Sequence, residues 1–124
     1  MDVVALTQQF EHITDYWSPR VVAQVNDQLI KVAKVKGDFV WHDHEHEDEM
    51  FLVLKGQLHL EMEDREVVLK PMDVFVVPKG VRHRPHCAEE TWIVLFEPRA
   101  TAHTGREQTA YTKSLEEQYG QHAD

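Results

Sequence analysis

Leu58, Leu60 and Met62 alternate with His59, Glu61 and Glu63 in the stretch QLHLEME. A period of two puts the apolar set on one face of a strand and the polar set on the other. Similar short runs recur through the middle of the chain: EMFLVLK before Gly56, EVVLK after Asp64-Arg65, VFVVP after PMD, and TWIVLFEP closed by Pro98. Upstream, VVAQVNDQLIKVAKV reads as two strands around Asn26-Asp27, a two-residue hairpin signal. Gly37-Asp38 is expected to turn, FVWHDH to resume as a strand, and VRHRPH to run extended. Pro71 suits the second position of a type I turn. About eight short strands divided by regular turn signals predict an all-β fold, an antiparallel sandwich or barrel.

The two ends depart from this pattern. Val3, Leu6, Phe10 and Ile13 have helical spacing, and Ser18-Pro19 stops that run, so a short N-terminal helix is expected. Beyond Pro98 the chain is polar and expected to pack loosely, with a short helix over Ser114 to Tyr119 beginning at a serine cap. The organisation expected is a single domain over residues 1–124, with a β core at about 21–98 and a polar segment at 99–124.

Charge narrows the partners. Acids outnumber lysines and arginines by 22 to 13, a net charge of −9, which argues against nucleic acid or an anionic membrane as partner. No apolar run is long enough to span a bilayer. The single cysteine, Cys87, allows no internal disulfide and fits a reducing cytoplasm, and nothing at the start resembles a signal peptide. Cys87 is expected to pack as a small hydrophobe.

Candidate chemistry concentrates in WHDHEHEDEM. His42 and His44, two apart, would share one face of a strand with Cα atoms roughly 7 Å apart, close enough for both imidazoles to reach one ion. Glu49 opens an apolar strand, where a charge needs a partner or a metal. His83 follows the tight turn set by Pro78 and Gly80 and is the fourth candidate. His44 with His46 is the competing pair, since it has the same spacing. Otherwise His46 is a solvated loop residue. His86 is expected at a site mouth or in solvent, His59 on the outer face or behind a ligand, and His12, His103 and His122 on the surface. Asp48 is a candidate to hold a ligand histidine, and Lys79, Arg82 and Arg84 form a basic rim that could recruit an acidic substrate. Trp41, Phe51, Phe75, Trp92 and Phe96 read as core, some of them able to line a pocket.

These residues resemble the motifs of the small single-domain cupins. The first family motif runs Gly, five residues, His-x-His, three or four residues, Glu, six residues, Gly. Gly37, His42, His44, Glu49 and Gly56 follow it, with Gly37 one residue nearer than usual. The second runs Gly, five residues, Pro-x-Gly, two residues, His, three residues, Asn. Pro78, Gly80 and His83 match, while Met72 replaces the glycine and Cys87 the asparagine. Met72 therefore predicts a turn without a positive φ.

The resemblance implies a double-stranded β-helix, or jelly-roll barrel, with a short N-terminal helix. It implies one divalent transition metal held by His42, His44, Glu49 and His83, with iron, manganese, nickel, cobalt, copper and zinc all compatible with three imidazoles and a carboxylate. It further implies a small-molecule metalloenzyme of dioxygenase or isomerase type, or alternatively a non-catalytic small-ligand-binding cupin. Glu49 would be a ligand first and a general base only on detaching, and no separate catalytic acid is identified. Cupins of this size pair through exposed strands, so a homodimer is expected, with Val3 to Val35 supplying an apolar edge.

Overall fold

The chain runs through α1 (Leu6–Glu11), β1 (Arg20–Val25), β2 (Gln28–Asp38), β3 (Glu49–Lys55), β4 (Leu58–Met62), β5 (Glu66–Leu69), β6 (Val74–Val77), β7 (His83–Pro98) and α2 (Leu115–Gly120). The structure is a computed structural model that describes residues 2–101, 103–105, 109 and 112–120. No helix among the described residues is long and apolar enough to cross a membrane.

β7 organises the barrel. Along one side it pairs antiparallel with β2, from Gln28 opposite Pro98 to Asp38 opposite His86. Its other side changes partner: residues 83–86 pair with β4, and residues 92–96 pair with β3. β5 extends the wall beyond β4, and β6 the wall beyond β3. One strand thus joins two walls, and their inner faces enclose the core. Leu58, Leu60, Leu69, Phe51, Val53, Val77, Ile93 and Leu95 fill it, each at the inward phase of its strand.

The outer face of β2, β3 and β7 is apolar as well, and α1 explains why. Phe10 and Ile13 are buried there with Val32 and Val94, and the Phe10 ring stacks on Trp92 at 4.7 Å. Val3, expected on the same helical face, is almost fully exposed.

Several local expectations need correction. Among the described residues there are seven strands, where about eight were expected. Most of VRHRPH and all of TWIVLFEP belong to one continuous strand, His83–Pro98, with Pro85 inside it opposite Leu60 of β4. Gly37-Asp38 ends β2 through a register slip and makes no turn. FVWHDH is not a strand: His42 makes an isolated bridge to His83, and Phe39 N–H donates to Pro85 C=O at 2.9 Å. Met72 has φ 73, the left-handed value that was expected to be absent. Asp73 N–H donates to Lys70 C=O at 2.9 Å, so Lys70 to Asp73 is a closed turn with positive φ at its third residue, the mark of type II rather than type I. The Asn26-Asp27 hairpin forms as expected, with Val25 opposite Gln28 and Asn26 at φ 53.

The C-terminal segment is tied down more firmly than its polarity suggests. Thr101, Thr104 and Gln118 are buried. Ser114 and Glu117 cap α2 reciprocally: Glu117 N–H donates to Ser114 Oγ and Ser114 N–H to Glu117 Oε1, each at 3.0 Å.

Candidate metal centre

His42, His44, Glu49 and His83 meet inside the barrel. All four are buried, and each offers a ligand atom within 4.8 Å of the others. Glu49 comes from the first residue of β3 and His83 from the first residue of β7. His42 and His44 come from the segment between β2 and β3, which is held at two points. His42 and His83 exchange backbone hydrogen bonds, and Gly80 N–H donates to His44 C=O at 2.8 Å. The PKG turn therefore sits on the back of the His42–His44 segment, as the juxtaposition of two motifs requires.

The ring nitrogens are oriented for an ion. His42 Nδ1 lies 2.9 Å from Val40 C=O, and His83 Nδ1 lies 2.9 Å from Val81 C=O. A carbonyl can only accept, so each neutral imidazole carries its proton on Nδ1 and directs the Nε2 lone pair inward. His44 Nε2, His83 Nε2 and Glu49 Oε1 are buried without a hydrogen-bond partner. The last lies 3.3 Å from His44 Nε2 and 3.5 Å from His83 Nε2, near contacts without good hydrogen-bond geometry. Buried polar atoms without partners are costly, and a divalent cation among them would satisfy all three. The residues fit a metal.

The electrostatics agree. Burial, reinforced by the neighbouring His83, lowers the His42 pKa to about 4, which keeps it neutral as a ligand must be. Burial also pulls His44 down, but the Glu49 carboxylate outweighs it and leaves His44 raised. Burial pushes Glu49 up, yet Glu97, His44 and His83 together hold it well below the usual carboxylate range.

These two motifs, on these strands, decide the family: the cupin domain matches over residues 29–97. The chain belongs to the cupin family. A cupin-2 domain containing protein from Shewanella frigidimarina NCIMB 400 is 41% identical, with a TM-score of 0.77, covering 78% of this chain and 95% of that one. Protein NMB1881 from Neisseria meningitidis is 26% identical, with a TM-score of 0.73, covering 78% of this chain and 99% of that one. The Bacillus subtilis (strain 168) protein YdbB, described as uncharacterized, is 41% identical over 64 residues, 51% of this chain. The match spans 57% of that relative's length.

Within this cupin barrel the remaining histidines separate. His46 is exposed and turned away from the four, so the competing pair is not the one assembled. His59 and His86 lie on the outer face of the β4–β7 wall. His12 is exposed, and His122 lies outside the described residues. Asp48 holds no ligand histidine; its Oδ1 accepts Lys79 N–H at 2.9 Å. Arg84 is not at a mouth: it reaches Glu61 at 2.7 Å on the outer face. Cys87 is buried in the core, as expected.

Three polar residues beside the site escaped notice in the sequence. Lys31 and Glu97 are both buried, with Nζ 2.7 Å from Oε1, an ion-pair contact too bent for a well-formed hydrogen bond. Burial and the Glu49 charge push Glu97 well above the usual carboxylate range, against the opposing pull of Lys31. The third is His103, expected on the surface. It packs against Phe39 at 5.4 Å, its Nδ1 accepts Lys113 N–H at 3.0 Å, and burial followed by Lys31 lowers its pKa to about 4. Strand alternation could have placed the first two: Lys31 shares the inward phase with Leu29, Ala33 and Val35, and Glu97 that of Ile93 and Leu95.

A cavity of about 30 Å³ adjoins His42 and Glu49. Trp17, Phe39, Phe51, Leu95, Glu97 and His103 are among its walls. By this measure it has room for a couple of waters or a molecule of dioxygen's size.

Proposed function

We propose that this cupin is a metal-dependent enzyme acting on a small organic molecule, of dioxygenase or isomerase type, with one divalent transition metal held by His42, His44, Glu49 and His83. The observation that carries the reading is the convergence of four buried side chains on one point, three of which, His44, Glu49 and His83, present buried atoms there without a hydrogen-bond partner. A bound metal would supply Lewis acidity to a coordinated substrate oxygen, and one-electron chemistry if it is iron. The chain's own residues supply the rest. The Val40 and Val81 carbonyls fix the tautomers of His42 and His83. Glu49 brings the negative charge that offsets a cation. Phe39, Phe51 and Leu95 keep bulk water from the cavity side, which strengthens electrostatics at the centre.

A second reading is a small-ligand-binding module without turnover, since the same four side chains could hold a metal that binds a ligand without reacting. The two are separated by assaying protein reconstituted with Fe²⁺, Mn²⁺ or Zn²⁺ against small hydroxy acids, enediols, catechols and sugars, with oxygen uptake followed for the iron form. Turnover that disappears in Glu49→Gln and His83→Ala supports the enzyme. Saturable binding without turnover across the panel supports the module.

The same proposal places the protein in the cytoplasm as a homodimer, without a nucleic-acid or membrane partner. The lone cysteine and the net charge of −9 support the first and last of these. The edge position of β1 supports pairing between copies. A monomeric mass by light scattering across micromolar concentrations would remove the dimer.

A further inference from the structure

The wall made by β4, β5 and β7 carries a second cluster of metal-ligating side chains, on the face opposite the interior site. His83, Pro85 and Cys87 of β7 point inward and are buried, so His86 points outward. Leu58, Leu60 and Met62 of β4 do the same, so His59 points outward. His59 and His86 are direct register partners, and Glu66 of β5 lies opposite Glu61, diagonal to His59.

The three side chains close on one another. The His59 and His86 rings stack at 4.9 Å with 24° between their planes. Glu66 Oε1 lies 2.5 Å from His86 Nε2, and Glu66 Oε2 lies 3.5 Å from His59 Nδ1. One ligand atom from each residue lies within 4.8 Å of the others. All three are partly open to solvent, with side-chain exposures of 30%, 40% and 24% for His59, Glu66 and His86. An ion would therefore need no entry path.

We propose that His59, Glu66 and His86 form a second divalent-metal site on the outer face of the barrel, taking zinc or a similarly borderline-soft ion, with a coordination position left to water. Two imidazoles and a carboxylate are the donor set of an open three-ligand zinc site. The three ligands stand on three adjacent strands, so the sheet ladder fixes their spacing. Arg84 is the adverse charge nearby, and Glu61 at 2.7 Å with Asp38 at 3.5 Å hold and neutralise its guanidinium. β5 pairs only with β4, so an ion here ties that edge strand to β7. The site stands independently of the interior centre. The alternative is an ion-free hydrogen-bonded cluster of the same three residues.

The test uses the full chain, stripped of metal, titrated with Zn²⁺ against a chromophoric chelator at micromolar free zinc. Bound equivalents are compared between wild type and the double variant His59→Ala with His86→Ala. In parallel, histidine ring-nitrogen shifts are followed by NMR in the wild type. The expected result is the loss of one equivalent in the double variant, whatever the wild-type total, with His59 and His86 ring nitrogens shifting as zinc is added. Glu66→Gln binds more weakly and leaves the thermal midpoint without metal little changed. Equal equivalents in wild type and double variant would overturn the proposal, and so would unmoved His59 and His86 ring nitrogens. The wild-type NMR decides alone if the double variant does not fold. Loss of an equivalent in His42→Ala with His83→Ala reports on the interior centre instead, so failure of either site is seen separately.

Discussion

His42 and His83 exchange both of their backbone hydrogen bonds: His42 N–H donates to His83 C=O at 3.0 Å, and His83 N–H to His42 C=O at 2.9 Å. This one-residue bridge brings the imidazole centroids to 4.3 Å and joins two segments far apart in sequence. The segment around His42 belongs to no strand, so the bridge substitutes for a ladder. Both amides should be strongly protected from hydrogen exchange in the metal-free protein, and more so with metal bound, because metal and bridge hold the same two residues. Exchange of the His42 amide at the rate of an exposed loop would show that the ligand pair is not preassembled.

Gly56 and Gly80 both have positive φ, at 86° and 79°, but their surroundings differ. A Cβ at Gly80 meets nothing within 4 Å, whereas one at Gly56 would stand 2.5 Å from Thr91 Oγ1 and 2.8 Å from Glu90 C=O. Gly80→Ala should cost only the left-handed backbone penalty, about 1 kcal/mol. Gly56→Ala adds overpacking against backbone and should cost about 3 kcal/mol. Urea unfolding of the two variants checks the order.

Lys31 and Glu97 form a buried pair behind Glu49. Lys31→Met leaves Glu97 without its cation and should lose about 3 kcal/mol. Adding Glu97→Leu should restore part of that loss, since two apolar groups then replace two buried polar groups. A double-mutant cycle with no coupling would contradict the pairing.

Two histidines make the metal-free protein acid-sensitive. His42 and His103 bind protons near pH 4 when folded and near 6.5 when unfolded. Between those values the unfolded state holds more protons, so stability rises with pH through the window and falls on acidification. Each group removes up to about 3 kcal/mol by the bottom of the window. The urea midpoint should fall as the pH is lowered from 6.5 to 4, and His103→Phe should flatten that fall.

Much of this architecture was legible in the sequence because it depends on local pattern. The alternation in QLHLEME, the Asn26-Asp27 hairpin and the His42-x-His44 spacing each specify a geometry within a few residues. What was missed depends on long-range contacts. FVWHDH looks like a strand, yet it touches β7 through the Phe39 N–H bond to Pro85 C=O and the isolated bridge at His42 rather than through a continuous ladder. Met72 takes a positive φ because its N–H donates to Val53 C=O at 2.7 Å within a closed turn, a tertiary bond that overrides the preference of a non-glycine residue. Lys31 and Glu97 carried no expectation, because a charged residue is expensive to bury alone and their partnership across β2 and β7 is invisible until the register is known. His103 follows the last strand, where no period indicates which way a side chain turns.

The most direct test of the interior centre is the metal content of untagged protein carrying His59→Ala and His86→Ala, which removes the outer cluster, with and without His42→Ala and His83→Ala added. The expected result is close to one equivalent of a divalent transition metal in the first protein and almost none in the second. Equal metal content in the two, or none in the first after reconstitution with iron, manganese or zinc, would contradict a metal held by His42, His44, Glu49 and His83.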